Sequence, residues 1–207
     1  IATGRSFHSA QAILAAEAVP TPNVIISSVG SQIHWYDPAT RSYAEDSAWA
    51  KYVARDWRGE AIECLAKDLG LRPQAPLEQR KGKASYFLDD HDPEEIRRTM
   101  HDAGLDIEIV ASHGRYLDIL ARGVGKHAAV LHVAGALGMT QSQVVVAGDS
   151  GNDRAMLRAC PHPIIVGNWS DGLGDDPALS HAYMASATHA GGVLEGVRHY
   201  SEAGHWQ

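Results

Sequence analysis

Apolar residues recur along the chain with two alternating periods, one typical of strands and one typical of helices. Short apolar runs that suit buried strands are followed by segments in which apolar residues return every three or four positions. This alternation predicts an α/β protein. The predicted helices are 9–18, 47–57, 59–69, 93–103, 126–137, a helix from 152, and 191–200.

The strand-like runs are short and several are bounded by turn residues. Asp37-Pro38-Ala39-Thr40 is a turn signal, so the runs on either side of it predict a hairpin. Ser6 is expected to cap the first helix. The predicted strands are 23–28, 32–36, 41–44, 83–88, 106–112, 116–120, 144–147 and 163–166.

The order of these elements predicts two parts. Parallel sheets arise from repeated strand–helix–strand units, which the pattern indicates for 1–29 and 121–207. We expect these segments to form a doubly wound, Rossmann-like parallel sheet core. Residues 30–120, with a hairpin and paired strands, are expected to form an inserted α+β domain.

Composition narrows the function classes. The 207 residues carry a net charge of −7, which provides no basic field for a nucleic-acid partner. No run of eighteen apolar residues and no basic-then-apolar leader is present, so no membrane partner or signal peptide is expected. Cys64 and Cys160 lie far apart and form no CxxC pair. We therefore expect no disulfide framework, and we expect a cytoplasmic location.

The strongest chemical signal follows the predicted strand 144–147. Asp149, Ser150, Asn152 and Asp153 occur within five residues, where a parallel strand presents its carboxyl end. Carboxylate and amide oxygens suit Mg²⁺. A plain helix N-terminus is the alternative, but a cap needs one such residue rather than four.

A second signal is the turn Ala2-Thr3-Gly4-Arg5-Ser6 between a strand end and a helix start. A threonine hydroxyl and free backbone N–H groups at a helix N-terminus can hold a phosphate oxygen. Short Thr-Gly turns are common, so an ordinary turn remains the alternative.

A third signal is Gly123-Val124-Gly125-Lys126 at the start of a helix. It fails the P-loop pattern, because Leu120 replaces the first glycine and His127 replaces the Mg²⁺-binding hydroxyl. What remains is a lysine where the helix dipole disfavours a cation. A functional lysine and a solvated surface lysine are both compatible with this position.

In this order, the threonine turn, the helix-start lysine and the GDSGND loop resemble three motifs of the haloacid dehalogenase-like phosphatases. Further segments resemble the sucrose-6-phosphate phosphatase family, and the insert matches the cap domain of that family. The segments are ATGRSFHSA, SVGSQIHWY, PQAPLEQ, KASYFLD, YLDIL, IIVGN and ATHAGGVLEGV, which together extend over nearly the whole chain.

The resemblance implies an Mg²⁺-dependent phosphatase that hydrolyses sucrose 6-phosphate to sucrose and phosphate through an aspartyl-phosphate. Thr3 matches the hydroxyl that holds the phosphoryl group, and Lys126 matches the lysine that neutralises its charge. Asp149 matches the metal ligand, with Ser150 and Asn152 completing the metal loop. Asp153 matches the second acid, which supports the metal shell or orients the lysine.

The same resemblance implies substrate contacts near the first turn and in the insert. Exposed glutamine and lysine are also ordinary surface residues, so a structural role is the alternative for each insert residue. Trp35, Trp49 and Trp57 could stack on a sugar, but they are more typical of the core of the insert. The candidate substrate-binding residues are Gly4, Arg5, Ser31, Gln32 and Lys83.

Four positions depart from the family pattern. Gln32 stands where relatives usually have Glu. Ala121 and Gly125 replace a usual proline and asparagine before the lysine, and His127 replaces a glycine after it. They loosen the match of the third motif, although Lys126 itself is kept.

The largest departure concerns the first motif, D-x-D-x-T, which supplies the nucleophile, the general acid/base and a metal ligand. No stretch of the 207 residues matches it, and the acidic cluster at 89–92 lies in the insert. We expect the sequence to be N-terminally truncated by one strand–helix unit. The complete protein is then expected to be the enzyme and the 207-residue chain to be inactive.

Two alternatives stay open. The chain could be a non-catalytic phosphatase-like domain that binds a sugar phosphate, fused to or associated with a sucrose-phosphate synthase. It could also be a phosphatase for another sugar phosphate, such as mannosyl-3-phosphoglycerate. In every case the expected partner is a small-molecule sugar phosphate.

Overall fold

A computed structural model describes residues 1–204, and the chain divides into two compact units, Ile1–Ala129 and Val130–Gln207. The helices are α1 (Phe7–Ala16), α2 (Ser47–Ala54), α3 (Gly59–Asp68), α4 (Pro93–Asp102), α5 (Lys126–Ala136), α6 (Arg154–Ala159) and α7 (His189–Glu202). The strands are β1 (Val24–Ser27), β2 (Gln32–Asp37), β3 (Ser42–Glu45), β4 (Arg72–Pro73), β5 (Lys83–Phe87), β6 (Ile107–Ser112), β7 (Tyr116–Ala121), β8 (Val145–Gly148), β9 (His162–Ile165) and β10 (Tyr183–Met184).

The first unit contains an antiparallel sheet in the order β1-β2-β3. The turn that begins at Asp37 joins β2 to β3, so the predicted hairpin is confirmed. Ala2 forms a parallel bridge with Ile26 of β1, which places the residues before the threonine turn beside that strand. Parallel and antiparallel pairing therefore meet at β1.

The insert is built on a second, four-stranded antiparallel sheet in the order β4-β5-β7-β6. Apolar residues of α3 and α4 pack with the sheet, because Ile62, Met100, Leu117 and Ile119 are all fully buried in one cluster. Helix α4 begins at Pro93, as predicted, and the Asp92 carboxylate caps it by accepting the backbone N–H of Glu94 at 2.9 Å.

The second unit contains a parallel sheet in the order β10-β9-β8. Successive residues of a strand point to opposite faces, and here each face has its own buried cluster. Val146 and Ile165 pack with Leu157 of α6, whereas Ile164 packs with Tyr200 of α7. Helices thus cover both faces of a parallel sheet, which confirms the doubly wound α/β class.

Several local expectations need correction. Ser6 precedes α1 at the N-cap position, but its hydroxyl makes no capping hydrogen bond. The predicted helix from residue 152 begins at Arg154, because 151–153 form a single 3₁₀ turn. For Trp49, in contrast, the expected core position is confirmed, because the side chain is buried and its indole N–H donates to the Gly30 carbonyl at 2.9 Å.

Among residues 1–204, no helix combines the length and the hydropathy that crossing a membrane requires.

Candidate functional site

The threonine turn lies against a second short turn at residues 28–30. The backbone N–H of Ser28 donates to the Arg5 carbonyl at 2.7 Å, and that of Val29 donates to the Thr3 carbonyl at 3.1 Å. The Thr3 hydroxyl accepts the backbone N–H of Arg5 at 3.2 Å. These bonds fix Thr3 in a tight turn just before α1.

Lys126 lies beside the same 28–30 turn. A Cβ added to Gly30, whose φ is +91°, would lie 2.2 Å from the carbonyl carbon of Gly125 and 2.6 Å from the Lys126 nitrogen. Only glycine permits this approach. The Lys126 side chain is buried at the first residue of α5, with 6% of it exposed, so it is not a solvated surface lysine. The 28–30 turn therefore brings the segments of Thr3 and Lys126 together.

The 28–30 turn is strained, and buried hydroxyls without a hydrogen-bond partner lie in it and next to it. Ser28 and Val29 both have positive φ, of 52° and 58°, which is unusual for a β-branched valine. The buried hydroxyls of Ser6, Ser27 and Ser28 have no hydrogen-bond partner within the described chain. Backbone strain and unpaired polar groups concentrate at functional sites. Sequence reasoning did not single out Ser27 or Ser28 as site residues, since a serine carries no local signal of its own.

The acidic loop of the second unit is held by Asp153. Its carboxylate accepts the backbone N–H groups of Asp149 at 3.1 Å and Ser150 at 3.4 Å, and its side chain is almost wholly buried. A Cβ added to Gly148 would lie 2.4 Å from the Asp153 Cβ. Asp153 thus shapes the loop, and Gly148 makes the room for it.

Asp149 is half-buried and is supported by the loop that follows β9. Its carboxylate accepts the side-chain amide N–H of Asn168 at 3.4 Å, and its carbonyl accepts the backbone N–H of Ser170 at 2.7 Å. Asp171 adds a contact by accepting the Gly151 N–H at 2.8 Å. Asn168 was not predicted as a site residue, although it follows the neighbouring parallel strand, where such residues are expected.

Ser150 and Asn152 contact each other. The buried Ser150 hydroxyl donates to the side-chain oxygen of Asn152 at 3.4 Å. This contact orients the amide within the loop. Both side chains lie in the acidic loop, and their place around a metal ion stays a prediction.

The side chains of this loop offer the kinds of oxygen atom that Mg²⁺ binds. Asp149 and Asn152 offer carboxylate and amide oxygens, and Mg²⁺ usually takes one or two protein carboxylates and keeps several waters. No group of three or more His, Cys, Asp or Glu side chains suited to a metal occurs among residues 1–204. Asp153, which already accepts two backbone N–H groups, suits a supporting role.

Lys83 is 2% exposed and paired with acids of the insert. Its ammonium nitrogen lies 3.1 Å from a carboxylate oxygen of Asp118 and 3.8 Å from one of Glu78. The Ser85 hydroxyl donates to the same Asp118 oxygen at 2.7 Å. Sequence reasoning missed Asp118, because an acid within a buried strand gives no spacing signal.

Gln32 bridges a cation and an acid. Its amide N–H donates to a Glu45 carboxylate oxygen at 3.2 Å, and its amide oxygen accepts from the Arg80 guanidinium. Burial lowers the pKa of Arg80, while Glu78 and Glu45 oppose that shift. A glutamate at position 32 would face Glu45 without a proton to donate, so the amide suits this contact.

The remaining candidates divide between exposed and buried positions. Arg5 is exposed and Gly4 is half-buried in the first turn. Ser31 is buried, and its hydroxyl donates to the Ser28 carbonyl at 2.9 Å, which shapes the strained turn.

Comparison with known proteins identifies relatives that match nearly the whole chain. A probable sucrose-phosphatase 3a of Arabidopsis thaliana is 28% identical over 216 residues, which cover 96% of this chain and 50% of the relative. A mannosylfructose-phosphate phosphatase of Agrobacterium fabrum is 31% identical over 207 residues, which cover 96% of this chain and 81% of the relative. The chain thus spans about half the length of the plant relative.

A solved structure shares the fold closely. The sucrose-phosphatase of Synechocystis sp. PCC6803, determined in complex with sucrose and phosphate, superposes with a TM-score of 0.87 at 32% identity. The match covers 97% of this chain and 83% of that one. The family model for sucrose-6F-phosphate phosphohydrolase matches residues 1–201, and the chain therefore belongs to this family of haloacid dehalogenase-like phosphatases.

Proposed function

We propose that the complete protein is a Mg²⁺-dependent phosphatase that hydrolyses sucrose 6-phosphate to sucrose and phosphate. The observation that carries the proposal is the meeting of the Thr3 turn and buried Lys126 at the strained 28–30 turn. A hydroxyl, backbone N–H groups and a buried cation are the groups that a phosphoryl group needs.

Each residue takes a defined role in this reaction. The Thr3 hydroxyl binds a phosphoryl oxygen, and Lys126 offsets the negative charge that develops as the ester bond breaks. Asp149 holds the metal ion, Asn152 and Ser150 complete its loop, and Asp153 holds the loop in place. Mg²⁺, when bound, would supply positive charge that offsets the negative charge of a phosphate.

The nucleophile of the reaction is a carboxylate that forms an aspartyl-phosphate, which splits one difficult displacement into two easier ones. That carboxylate belongs to the D-x-D-x-T motif, and none of the 207 residues matches it. We therefore propose that activity belongs to the complete protein and that the 207-residue chain does not turn over substrate.

Sugar recognition is proposed for the insert, with 30–120 acting as a cap and 1–29 with 121–207 acting as the core. Polar side chains that bind sugar hydroxyls reject a wrong sugar, because its missing partners leave them unpaired. Lys83 contacts Asp118 and Glu78, and Gln32 contacts Glu45 and Arg80, which suits side chains that have to keep a fixed orientation. Arg5, Gly4 and Ser31 complete the proposed contacts.

A second candidate is a phosphatase for another sugar phosphate. The 31% identical relative is named for mannosylfructose phosphate, and it matches this chain over most of its own length. Gln32, where sucrose phosphatases usually have Glu, is the residue that favours a changed sugar contact. A non-catalytic domain attached to a sucrose-phosphate synthase is the remaining alternative.

A phosphate-release assay on the complete gene product tests these proposals. We expect kcat/KM for sucrose 6-phosphate to exceed that for mannosylfructose phosphate and fructose 6-phosphate by about tenfold or more, as expected for sites that read hydroxyl groups. Activity should be lost with a chelator and restored by Mg²⁺. Equal rates on all substrates contradict sucrose specificity, and tight binding without phosphate release supports the non-catalytic alternative.

A further inference from the structure

A cavity lies in the first unit, where the end of α2 and the start of α3 meet the start of β6 and the end of β7. Its volume is about 380 Å³, which falls in the range of small-molecule sites. None of Thr3, Gln32, Lys83 or Lys126 lines it. The cavity is thus separate from the candidate phosphate site and from the proposed sugar contacts.

Three arginines surround this cavity. Arg122 is paired with Asp106 at 2.6 Å. Arg55 lies 3.4 Å from Asp56, but both side chains are mostly exposed, so the pair is weak. Arg58 makes one long hydrogen bond, at 3.4 Å, to a backbone carbonyl. Arg55 and Arg58 therefore have donors to offer an anion, and guanidinium groups match the geometry of a phosphate.

Apart from Asp56 and Asp106, which also line the cavity, the rest of the wall is mostly apolar and aromatic. Trp57 lines the cavity and packs on the core of the insert, and Ile62 and Leu105 beside it are buried. A flat indole next to guanidinium groups suits a ligand that has both an apolar ring face and an anionic group. A bare anion would leave the apolar wall unused.

The cavity also adjoins the two segments that lead into and out of the insert. Tyr52 lines it and stacks on Trp49, with 5.2 Å between ring centroids. Trp49 bonds the Gly30 carbonyl, and a Cβ on Gly123 would lie 2.6 Å from the Tyr52 hydroxyl. A ligand in the cavity would therefore touch Tyr52. This side chain packs on Gly123 of the outgoing segment and, through Trp49, on Gly30 of the incoming segment.

We propose that this cavity is a second ligand site, which binds a monophosphorylated sugar. The phosphate is held by Arg55 and Arg58, and the sugar ring lies against Trp57. The site requires no hydrolysis, so the proposal stands independently of the catalytic function.

Binding is measured by NMR on the ¹⁵N-labelled protein, with the Trp57 indole N–H signal identified by its loss in Trp57→Phe. Fructose 6-phosphate should shift this signal with saturation. The double variant Arg55→Gln/Arg58→Gln should raise the Kd about tenfold or more, since charge-assisted bonds to phosphate are lost.

The matched control is Lys51→Gln/Lys67→Gln, which removes the same charge from exposed positions of α2 and α3 outside the cavity. Its Kd should stay within about twofold of the wild type, because long-range surface charge is screened. Circular dichroism on both double variants checks that the fold is kept.

Five results would overturn the proposal. The Trp57 signal does not saturate by about 10 mM ligand, which corresponds to a Kd too weak for a specific site. Fructose without phosphate binds equally well, or inorganic phosphate alone matches fructose 6-phosphate in affinity. Both double variants lose affinity to the same extent. Finally, Lys126→Met abolishes the Trp57 shift, which would assign the binding to the candidate phosphate site instead.

Discussion

Lys83 is a charged side chain that is almost completely buried, so its compensation must come from neighbouring acids. Asp118 supplies the closest carboxylate oxygen, at 3.1 Å, and is itself buried. Removing one partner of a buried ion pair leaves the other charge without compensation, which is more costly than replacing both. The pair is therefore a point where stability and proposed sugar recognition depend on the same residues.

We expect Asp118→Asn to lower the free energy of unfolding by about 3 kcal/mol, because Lys83 then stays buried beside a neutral amide. The double variant Lys83→Met/Asp118→Leu should lose clearly less than the single variant. Urea denaturation of both variants measures the difference. A single variant as stable as the wild type would show that the pair contributes nothing.

His34 gives the protein a pH-dependent stability. Burial, assisted by Arg80 and opposed by Glu45, lowers the pKa of His34 from its ordinary value of 6.5. Below about 6.5 the unfolded chain takes up a proton that the folded chain resists, so stability is complete above that pH and falls as the pH drops through the lowered pKa.

His34 stacks on Phe7 with 3.6 Å between ring centroids, so His34→Phe keeps an aromatic contact and removes the titration. Chemical denaturation at several pH values between 5 and 8 should show a smaller loss of stability at acid pH in this variant. An unchanged slope would assign the pH dependence to other groups.

For single residues, the sequence predicts those that belong to motifs and misses those that act through packing. Thr3, Lys126 and Asp149 follow from their place at strand ends and helix starts. Ser28, whose unpaired hydroxyl lies in the strained turn, and Asp118 do not, because burial and pairing across distant segments leave no local pattern.

The connection between strand β8 and the acidic loop depends on Gly148. Gly148→Ala places a Cβ 2.4 Å from the Cβ of Asp153, which must move and release the backbone groups that it holds. We expect a loss of about 1–3 kcal/mol in the free energy of unfolding, the range for overpacking.

Gly135→Ala is the matched control for Gly148→Ala. A Cβ at Gly135 meets nothing within 4 Å, and the residue lies inside α5. Alanine should therefore stabilise that helix by up to about 1 kcal/mol. Thermal or urea unfolding compares the two variants, and equal effects would contradict the steric account.

Elements with a clear period were predicted well, and those without one were not. The hairpin of β2 and β3 and the Pro93 start of α4 follow directly from turn and cap residues. Strands β4 and β10 were missed, since each is only two residues long and has no alternation to detect. Their pairing is set by the neighbouring strand.

For the whole molecule, the fold class and the family were accessible from the sequence, whereas the two compact units were not. The boundary near residue 129 falls within α5, where helical periodicity continues without interruption. The boundary depends on contacts between segments that are distant in the sequence, and the hydrophobic pattern along the chain does not reveal such contacts.

A protein of only these 207 residues should release no phosphate from sucrose 6-phosphate, because none of its residues matches the nucleophile motif. The complete gene product serves as the positive control in the same assay. Release by the short chain above the level of its Lys126→Met variant would show that another carboxylate acts as the nucleophile.

In the proposed reaction, the complete protein cleaves a sugar phosphate with Asp149 as a ligand of the metal. Phosphate release from sucrose 6-phosphate tests this role in the variant Asp149→Asn, with the exposed Asp175→Asn as the matched control. We predict that kcat/KM falls about 100-fold or more in the first, which converts to about 3 kcal/mol of transition-state stabilisation, and is unchanged in the second. Wild-type rates in Asp149→Asn, or no release by the complete wild-type protein, would contradict the account.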